Sequence, residues 1–380
     1  MKLVFISNFM NHHQKSLCDF LYKNLGESFA FISTEVLPDE RKNMGYSEYK
    51  DECPYVLIAF GNKNEYERAV KLANESDVVI IGDASDDFIQ TRLNAGKLTF
   101  RYCERYFKQG KWRIFDPRVL KARYQHDIRY RNHNLHMLCA SAYTASDCRF
   151  IHAYPNKLYR WGYFPEVRYY DNVEKVIDSK QSSSILWVGR LLKWKHPDKA
   201  VLLADRLRRE GYTFNLTIIG EGEEKKHLQK LIQSKQLEDC VRLYGFVPPV
   251  QVREWMEKAD IYLFTSDRNE GWGAVLNEAM NAACAVVACN EIGSVPYLID
   301  DGVNGLKYNH KKRDDIFLKV SRLLTDEKLK NHIQRNAYET MVDVWNADVA
   351  AERLLHLIDC IQEGKEAEFT AGPCSRDSNG

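Results

Sequence analysis

The chain has 380 residues, of which 44% are hydrophobic and 28% charged, with 54 Lys and Arg against 53 Asp and Glu. That length holds two domains with full cores, and the balanced charge excludes the global basic field expected of a nucleic-acid-coating protein. Ten cysteines at irregular spacing, with no C-x-x-C pair, exclude a disulfide framework and a zinc ribbon and point to a reducing compartment.

The opening "MKLVFISNF" enters a strand pattern at once, without a signal-peptide apolar region and cleavage site. No stretch approaches the roughly 18 uninterrupted apolar residues of a spanning helix. The expected location is cytoplasmic, with peripheral attachment at the inner face of a membrane as the alternative. The loop after "KLVFISN" (2–8) carries His12 and His13, at the carboxyl end of a strand where ligands are met. "YVLIAF" (55–60) and "DVVIIG" (77–82) read as further buried strands. Asp83, Asp86 and Asp87 in "GDASDDF" then form the nearest thing to a D-x-D metal motif, but at a strand end they read as helix capping.

"KLTFRYC" (97–103) delivers Glu104 and Arg105 to an equivalent strand edge. From Arg101 to Arg131 ten Lys and Arg stand against Glu104, Asp116 and Asp127, interleaved with seven aromatic residues. Such a mixture suits an anionic membrane or a lipid-linked diphosphate acceptor. A single-stranded nucleic acid or a plain solvated face are the competing readings, and no nucleic acid partner is expected from the overall charge. "HMLCASAY" (136–143) is the last strand of this half, with His133 and His136 read as structural. Polar, serine-rich 170–184 reads as a linker.

The second half repeats the pattern with "SILWVGR" (184–190), "FNLTIIG" (214–220), "VRLYGFV" (241–247), "IYLFTS" (261–266) and "CAVVACN" (284–290). Strand runs alternating with amphipathic helices, such as 198–211 and 222–236, indicate parallel sheets covered on both faces. The predicted fold is α/β, two Rossmann-like doubly wound domains facing across a cleft. They span 1–169 and 185–340, followed by a helix over 341–362 that returns to the first and a disordered tail over 363–380. Ligands of such folds bind at the carboxyl ends of the strands.

The chemistry-bearing residues of this half fall there. Gly189 and Arg190 follow one strand, with Lys195 five residues on; Gly220 and Gly222 follow the next, without the third glycine of a dinucleotide fingerprint. After "IYLFTS" comes "DRNEGWGAVLNEAM", with Glu270 before a helix expected to begin near Gly273 and Glu278 inside it. Small Gly271 and Gly273 permit close backbone approach, and amides of Gly273, Ala274 and Val275 at a helix start attract an anion. Two carboxylates beside an anion site must face neutral groups that donate hydrogen bonds, such as sugar hydroxyls. Cations, a helix start and paired carboxylates together describe a nucleotide sugar.

In "GRLLKWK", "IIGEGEE", "YGFV", the E-x7-E pair Glu270 and Glu278, and "EIGSVPYLIDDGVNGLKY", the chain resembles retaining GT-B-fold glycosyltransferases of family 4 over residues 184–308. Trp345, in "VWNADVAAERLL", resembles the family's kinked return segment, and "WGYFP" (161–165) resembles polysaccharide-associated members. The resemblance implies transfer of a hexose from a nucleotide-diphosphate sugar to a glycan or lipid-linked acceptor hydroxyl, with retention and without a metal or other cofactor. It implies Arg190 and Lys195 on the diphosphate, Glu270 on the transferred sugar and Glu278 on the ribose. The backbone of Trp272–Val275 would meet sugar and phosphate, and Gly245–Phe246 the base. The first half departs from the family in having "NFMNHHQKS" where many relatives carry a glycine pair, which makes His12 and His13, with Glu104 and Arg105, the acceptor-side candidates. Two rival readings stand beside transfer: a sugar-nucleotide epimerase or sugar phosphorylase on the same scaffold, and a nucleotide-sugar-binding scaffold without activity.

Overall fold

The computed structural model describes residues 1–39, 42, 49 and 52–377. The chain divides into two compact units, Met1–Glu166 with Asn346–Gly380, and Val167–Trp345.

The first unit is built on a seven-stranded sheet: β1 (Leu3–Ser7), β2 (Phe29–Ser33), β3 (Val56–Ile58), β4 (Val78–Ile81), β5 (Thr99–Cys103), β6 (Leu135–Cys139) and β7 (Leu158–Arg160), in the order β3-β2-β1-β4-β5-β6-β7. All six pairings are parallel. β1, β4 and β6 are buried at every position, so their sequences are mostly apolar rather than alternating, with His136 the one polar residue inside β6. Val4, Ile6, Val79 and Ile81 enter one core cluster. Each fully buried aliphatic side chain of this kind contributes about 1.5–3 kcal/mol. Strand order reverses at β1, where β2 lies on one side and β4 on the other, so the loops leaving β1 and β4 diverge at a switch point.

The second unit holds six parallel strands: β8 (Gln181–Val188), β9 (Asn215–Ile219), β10 (Val241–Tyr244), β11 (Ala259–Phe264), β12 (Ala285–Cys289) and β13 (Leu306–Tyr308), in the order β10-β9-β8-β11-β12-β13. The switch point here lies between β8 and β11, and both strands end at the motifs singled out above. Helices cover the sheet, among them Pro197–Arg209, Pro249–Lys258 and Val275–Asn281.

Three expectations change. Residues 170–184 are not a linker: Val173–Asp178 is a helix and β8 begins at Gln181. Lys180 is half-buried, and its Nζ lies 2.8–3.2 Å from the carbonyls of Met256, Glu257, Ala259 and Ala282, at the carboxyl ends of two helices. A cation there completes helix ends that lack intrahelical partners, which is why a polar segment carries a core contact. The predicted helix over 341–362 is resolved into two: Glu327–Asp343 ends, and Asn346 caps Ala347–Gln362 by accepting from the Val349 amide at 2.8 Å. This last helix packs on helix His12–Leu25 of the first unit.

The tail, expected to be disordered from Glu363, is ordered around residues 371–377, with 378–380 outside the described residues. It runs antiparallel to β7. Cys374 donates to the Arg160 carbonyl at 2.8 Å, Arg160 to that of Ser375 at 2.8 Å, and Asp377 to that of Leu158 at 3.0 Å. Arg149 holds Asp377 through the backbone carbonyl at 2.8 Å and the carboxylate at 3.5 Å. The open edge of the sheet is thereby covered.

Candidate active site

The loop after β8 is pinned to the end of β11 by a polar relay. Trp187 Nε1 donates to Thr265 Oγ1 at 2.7 Å, and that hydroxyl donates to the Lys195 carbonyl at 2.7 Å. The Asp267 amide donates to the Trp194 carbonyl at 3.0 Å. His196, in a left-handed turn at φ 51°, places Nε2 3.3 Å from Asp267 Oδ2. With both loops fixed, Lys195 Nζ stands 2.5 Å from Glu270 Oε2, and Ser266 Oγ donates to the same oxygen at 2.9 Å. The Lys195 and Glu270 side chains are only 14% and 12% exposed, so water screens this pair weakly.

Two residues that the resemblance assigns to different parts of a ligand, a phosphate-binding cation and a sugar-binding carboxylate, therefore meet directly. Thr265 and Ser266 were not singled out from sequence. Their signal was present: two hydroxyl residues directly after the apolar run of β11, at a strand end.

The glycines of this region have packing reasons of their own. A Cβ on Gly220 would strike the Gly189 carbonyl, one on Gly222 the Leu191 backbone, and one on Gly273 the Phe264 ring. Gly220, Gly222 and Gly273 have φ of 145°, 155° and 81°, a range that glycine alone adopts readily. The Gly189 and Leu191 amides donate to the Ile219 and Glu221 carbonyls at 3.1 and 2.8 Å, so the loops after β8 and β9 run in contact. Gly245 accepts from the Gly220 amide at 3.0 Å, which joins the loop after β10 to them. Phe246 beside it is 55% exposed, and Arg190 is also exposed.

The helix expected to start near Gly273 starts at Val275 and has seven residues. Gly271 is buried, and Ala274 immediately precedes the helix. Trp272 is fully buried: its Nε1 donates to Asn277 Oδ1 at 2.9 Å, and its ring lies 5.9 Å from that of Trp345, which stacks on Tyr297. Its indole belongs to the core, so only the backbone of Trp272 is left for the role that the resemblance gives this segment. Glu278, inside the helix, is recessed. Burial raises its carboxyl to about 7, against the opposing pull of the Arg253 guanidinium. Arg253 is itself held by the Glu278 carbonyl at 3.2 Å and by Asn281.

In the first unit, Asn11 caps the helix that begins at His12, in a capping box with Gln14. The His13 ring stacks on Tyr163 at 5.7 Å, Tyr163 Oη donates to Glu104 Oε1 at 2.7 Å, and Lys108 Nζ reaches Glu104 Oε2 at 2.6 Å. His13 and Glu104, predicted separately, are thus joined through Tyr163 of "WGYFP", which had not been singled out. Trp161 and Phe164 of the same segment are buried edge-to-face, 4.9 Å apart, and hold it in place. The His12 ring touches that of His13 at 3.6 Å, while Arg105 lies over Tyr143 at 4.5 Å. Ser85, rather than an aspartate, provides the cap in "GDASDDF", and Asp86 binds Arg101 and His126 at 2.8 and 2.7 Å. His136 lies inside β6, with its imidazole pushed down to about 3 by burial, which makes it a neutral core residue.

Residues 171–340, which lie within the second unit, match the family model described as "Glycosyl transferases group 1". Over 130 residues the chain is 35% identical to an amylovoran biosynthesis glycosyltransferase, AmsK, of Erwinia amylovora, covering 33% of this chain and 32% of that protein. It is 29% identical over 174 residues to a Campylobacter jejuni enzyme named as an N-acetylgalactosaminyltransferase acting on a diphospho-undecaprenol glycan, covering 46% of each. The chain thus aligns with a third to a half of the length of these curated relatives. The crystal structure of Anabaena Alr3699/HepE in complex with UDP superposes with a TM-score of 0.71 at 14% identity, covering 94% of this chain and all of that one. This likeness and the two parallel sheets establish the GT-B fold.

Proposed function

We propose that the chain transfers a hexosyl group from a nucleoside-diphosphate sugar to an acceptor hydroxyl, with retention at the anomeric carbon. The observation that carries this is the Lys195–Glu270–Ser266 cluster at the ends of β8 and β11. A fixed cation meets a fixed carboxylate there, as is needed where a diphosphate joins a sugar. The relatives, named as glycosyltransferases of polysaccharide and glycolipid assembly, support the reading, and the UDP in the Anabaena structure fits such a donor.

In this reading the bond from the anomeric carbon to the diphosphate oxygen breaks, and the acceptor oxygen bonds to the same carbon from the same face. The acceptor proton passes to the departing phosphate oxygen. Charge grows on the diphosphate as the bond breaks, so Lys195 and Arg190 stabilise the transition state more than the bound donor. Glu270 accepts from hydroxyls of the transferred sugar and Glu278 from those of the ribose. Fixed side-chain cations take the place of a metal. His13, Tyr163 and Glu104 of the first unit are assigned to the acceptor, a glycan or lipid-linked sugar.

Calorimetric titration with UDP-, GDP-, ADP- and CDP-sugars, in EDTA, tests the donor site. One nucleotide series should bind without metal, with the affinity lost in Glu278→Ala; binding of none, or binding that returns only with a divalent ion, would refute it. An inverted anomeric configuration in the product would exclude the retaining step.

A further inference from the structure

In the first unit, residues 111–126 form a short 3-10 turn, Lys111–Phe115, and the helix Pro117–His126. None of the ten helix residues is buried. Val119 packs toward the core cluster, which leaves Leu120 and Tyr124, one turn apart, facing water at 48% and 57% exposure. The preceding turn adds Phe115 at 84% and Trp112 at 61%. Four of the fourteen exposed large apolar side chains among the described residues therefore fall within 112–124. Scattered singly such residues need no explanation, but gathered like this they do. Phe150, also exposed, extends the patch beneath Lys111, whose Nζ lies 5.2 Å from its ring.

The charge around this patch is predominantly basic, with Asp116 shared between Arg113 at 3.6 Å and Arg118 at 3.2 Å. Residues 111–126 contain five Lys and Arg and a single carboxylate, Asp116. Asp116 is engaged as the helix cap, accepting from the Arg118 amide at 3.0 Å and pairing with the Arg118 guanidinium at 3.2 Å. The wider basic stretch is less available than its composition implies. Arg101 and Arg123 turn inward to Asp127, which also accepts from Tyr106 and Tyr154, and Lys108 is paired with Glu104. What remains is a short stretch with exposed apolar tips on a turn and helix, interspersed with Lys111 and Lys121 and with Arg113 and Arg118, which share the single carboxylate Asp116. The Trp112 indole N–H donates to the Gln109 carbonyl at 3.0 Å, so the ring loses no hydrogen bond by leaving water.

We infer that this surface docks on an anionic lipid bilayer, with Trp112, Phe115, Leu120 and Tyr124 entering the headgroup–acyl boundary and the basic side chains meeting acidic headgroups. Apolar tips combined with a net basic charge, five Lys and Arg against Asp116, fit that occupant on both counts. A single-stranded nucleic acid would match the charge, but Leu120 offers no ring for a base to stack on, whereas hydrocarbon accepts Leu and Phe equally. Among the described residues no helix is long and apolar enough to cross a membrane, so attachment here is interfacial. None of this depends on the transfer chemistry of the second unit.

The test is co-sedimentation of the full chain with phosphatidylcholine vesicles that contain or lack phosphatidylglycerol, at low and high salt. Binding should require phosphatidylglycerol and weaken with salt. The pair Phe115→Ser with Leu120→Ser should lower vesicle affinity by about tenfold or more. Lys111→Gln and Lys121→Gln should each cost about fivefold. Brominated acyl chains should quench part of the tryptophan emission, and Trp112→Phe should remove that quenching while leaving most of the binding. Because these side chains are exposed, unfolding midpoints should match the parent chain. Absence of vesicle binding at low salt, equal binding by the variants, or capture of an oligonucleotide in place of vesicles would each overturn the assignment.

Discussion

At Lys195 and Glu270 the chain holds opposite charges 2.5 Å apart in a site largely closed to water. Removing one partner leaves the other without its counter-charge and, in the proposed reading, removes Lys195 from the leaving diphosphate or Glu270 from the transferred sugar. Lys195→Ala and Arg190→Ala should each lower kcat by about 10²–10³, as loss of one transition-state donor does elsewhere. Steady-state rates with the donor identified by calorimetry check this, and near-normal rates would remove both residues from the chemistry. Glu278 adds a pH signature. Its folded carboxyl is raised to about 7, above the ordinary value of 4.5, so the native state holds the extra proton. Stability relative to Glu278→Gln should therefore fall as pH rises from 4.5 through 7, by at most about 3 kcal/mol. Thermal midpoints of the two proteins measured against pH should diverge across that window; parallel curves would contradict it. Hydroxyls donating to the ionised carboxylate would release the proton, making the donor-binding enthalpy depend on buffer near neutrality. Gly220 is a packing residue as well as a neighbour of the site. Gly220→Ala should destabilise the second unit by about 3 kcal/mol, read as a lowered unfolding midpoint.

Among elements, legibility in the sequence followed length and burial. β1, β4, β6 and β11 were readable because strands buried on both faces are predominantly apolar runs, interrupted only by His136 in β6, Asp260 in β11 and the terminal Ser7 of β1, and the helix ending at Gln362 because its pattern is periodic. β7 and β13 have three residues each, too few for a pattern on their own, whereas β3, equally short, sits inside the longer apolar run 55–60; β2 was missed although Gly26 marks the helix end before it. That the second-unit motifs lie at strand ends was legible from spacing, since strand, loop and helix order fixes which residues reach a sheet edge. What spacing could not convey was the direct pairing of Lys195 with Glu270, or that Tyr163 joins His13 to Glu104. Those contacts depend on loop conformations set by Thr265, His196 and the buried Trp161 and Phe164. The false linker has the same origin: Lys180 looks like a surface charge until two helix ends are seen around it. Lys180→Met should lower stability by about 2–4 kcal/mol, because it leaves buried carbonyls without a donor. Denaturant unfolding checks this, and an unchanged midpoint would show that water replaces the ammonium.

At the scale of the whole molecule, the first unit is made from both ends of the chain, with the second unit inserted between them. A chain ended after Trp345 should keep the second unit folded and lose the first, because the buried face of Ala347–Gln362 and the cover on β7 go with it. Limited proteolysis should then yield a resistant fragment starting near Val167. A chain ended after residue 370 is a milder case: the helix stays, β7 becomes an open edge, and self-association should rise in light scattering.

The same arrangement sets an order of events during synthesis. The strands of the first sheet emerge from the ribosome before any residue of the second unit, yet the segment that closes their edge is made only after the whole second unit. The second unit, continuous in sequence, can complete its fold while the first still waits for its final strip. A nascent chain therefore carries an unsatisfied parallel sheet for the whole time that the second unit is being translated. Conditions that slow translation through 167–345 would lengthen that exposure.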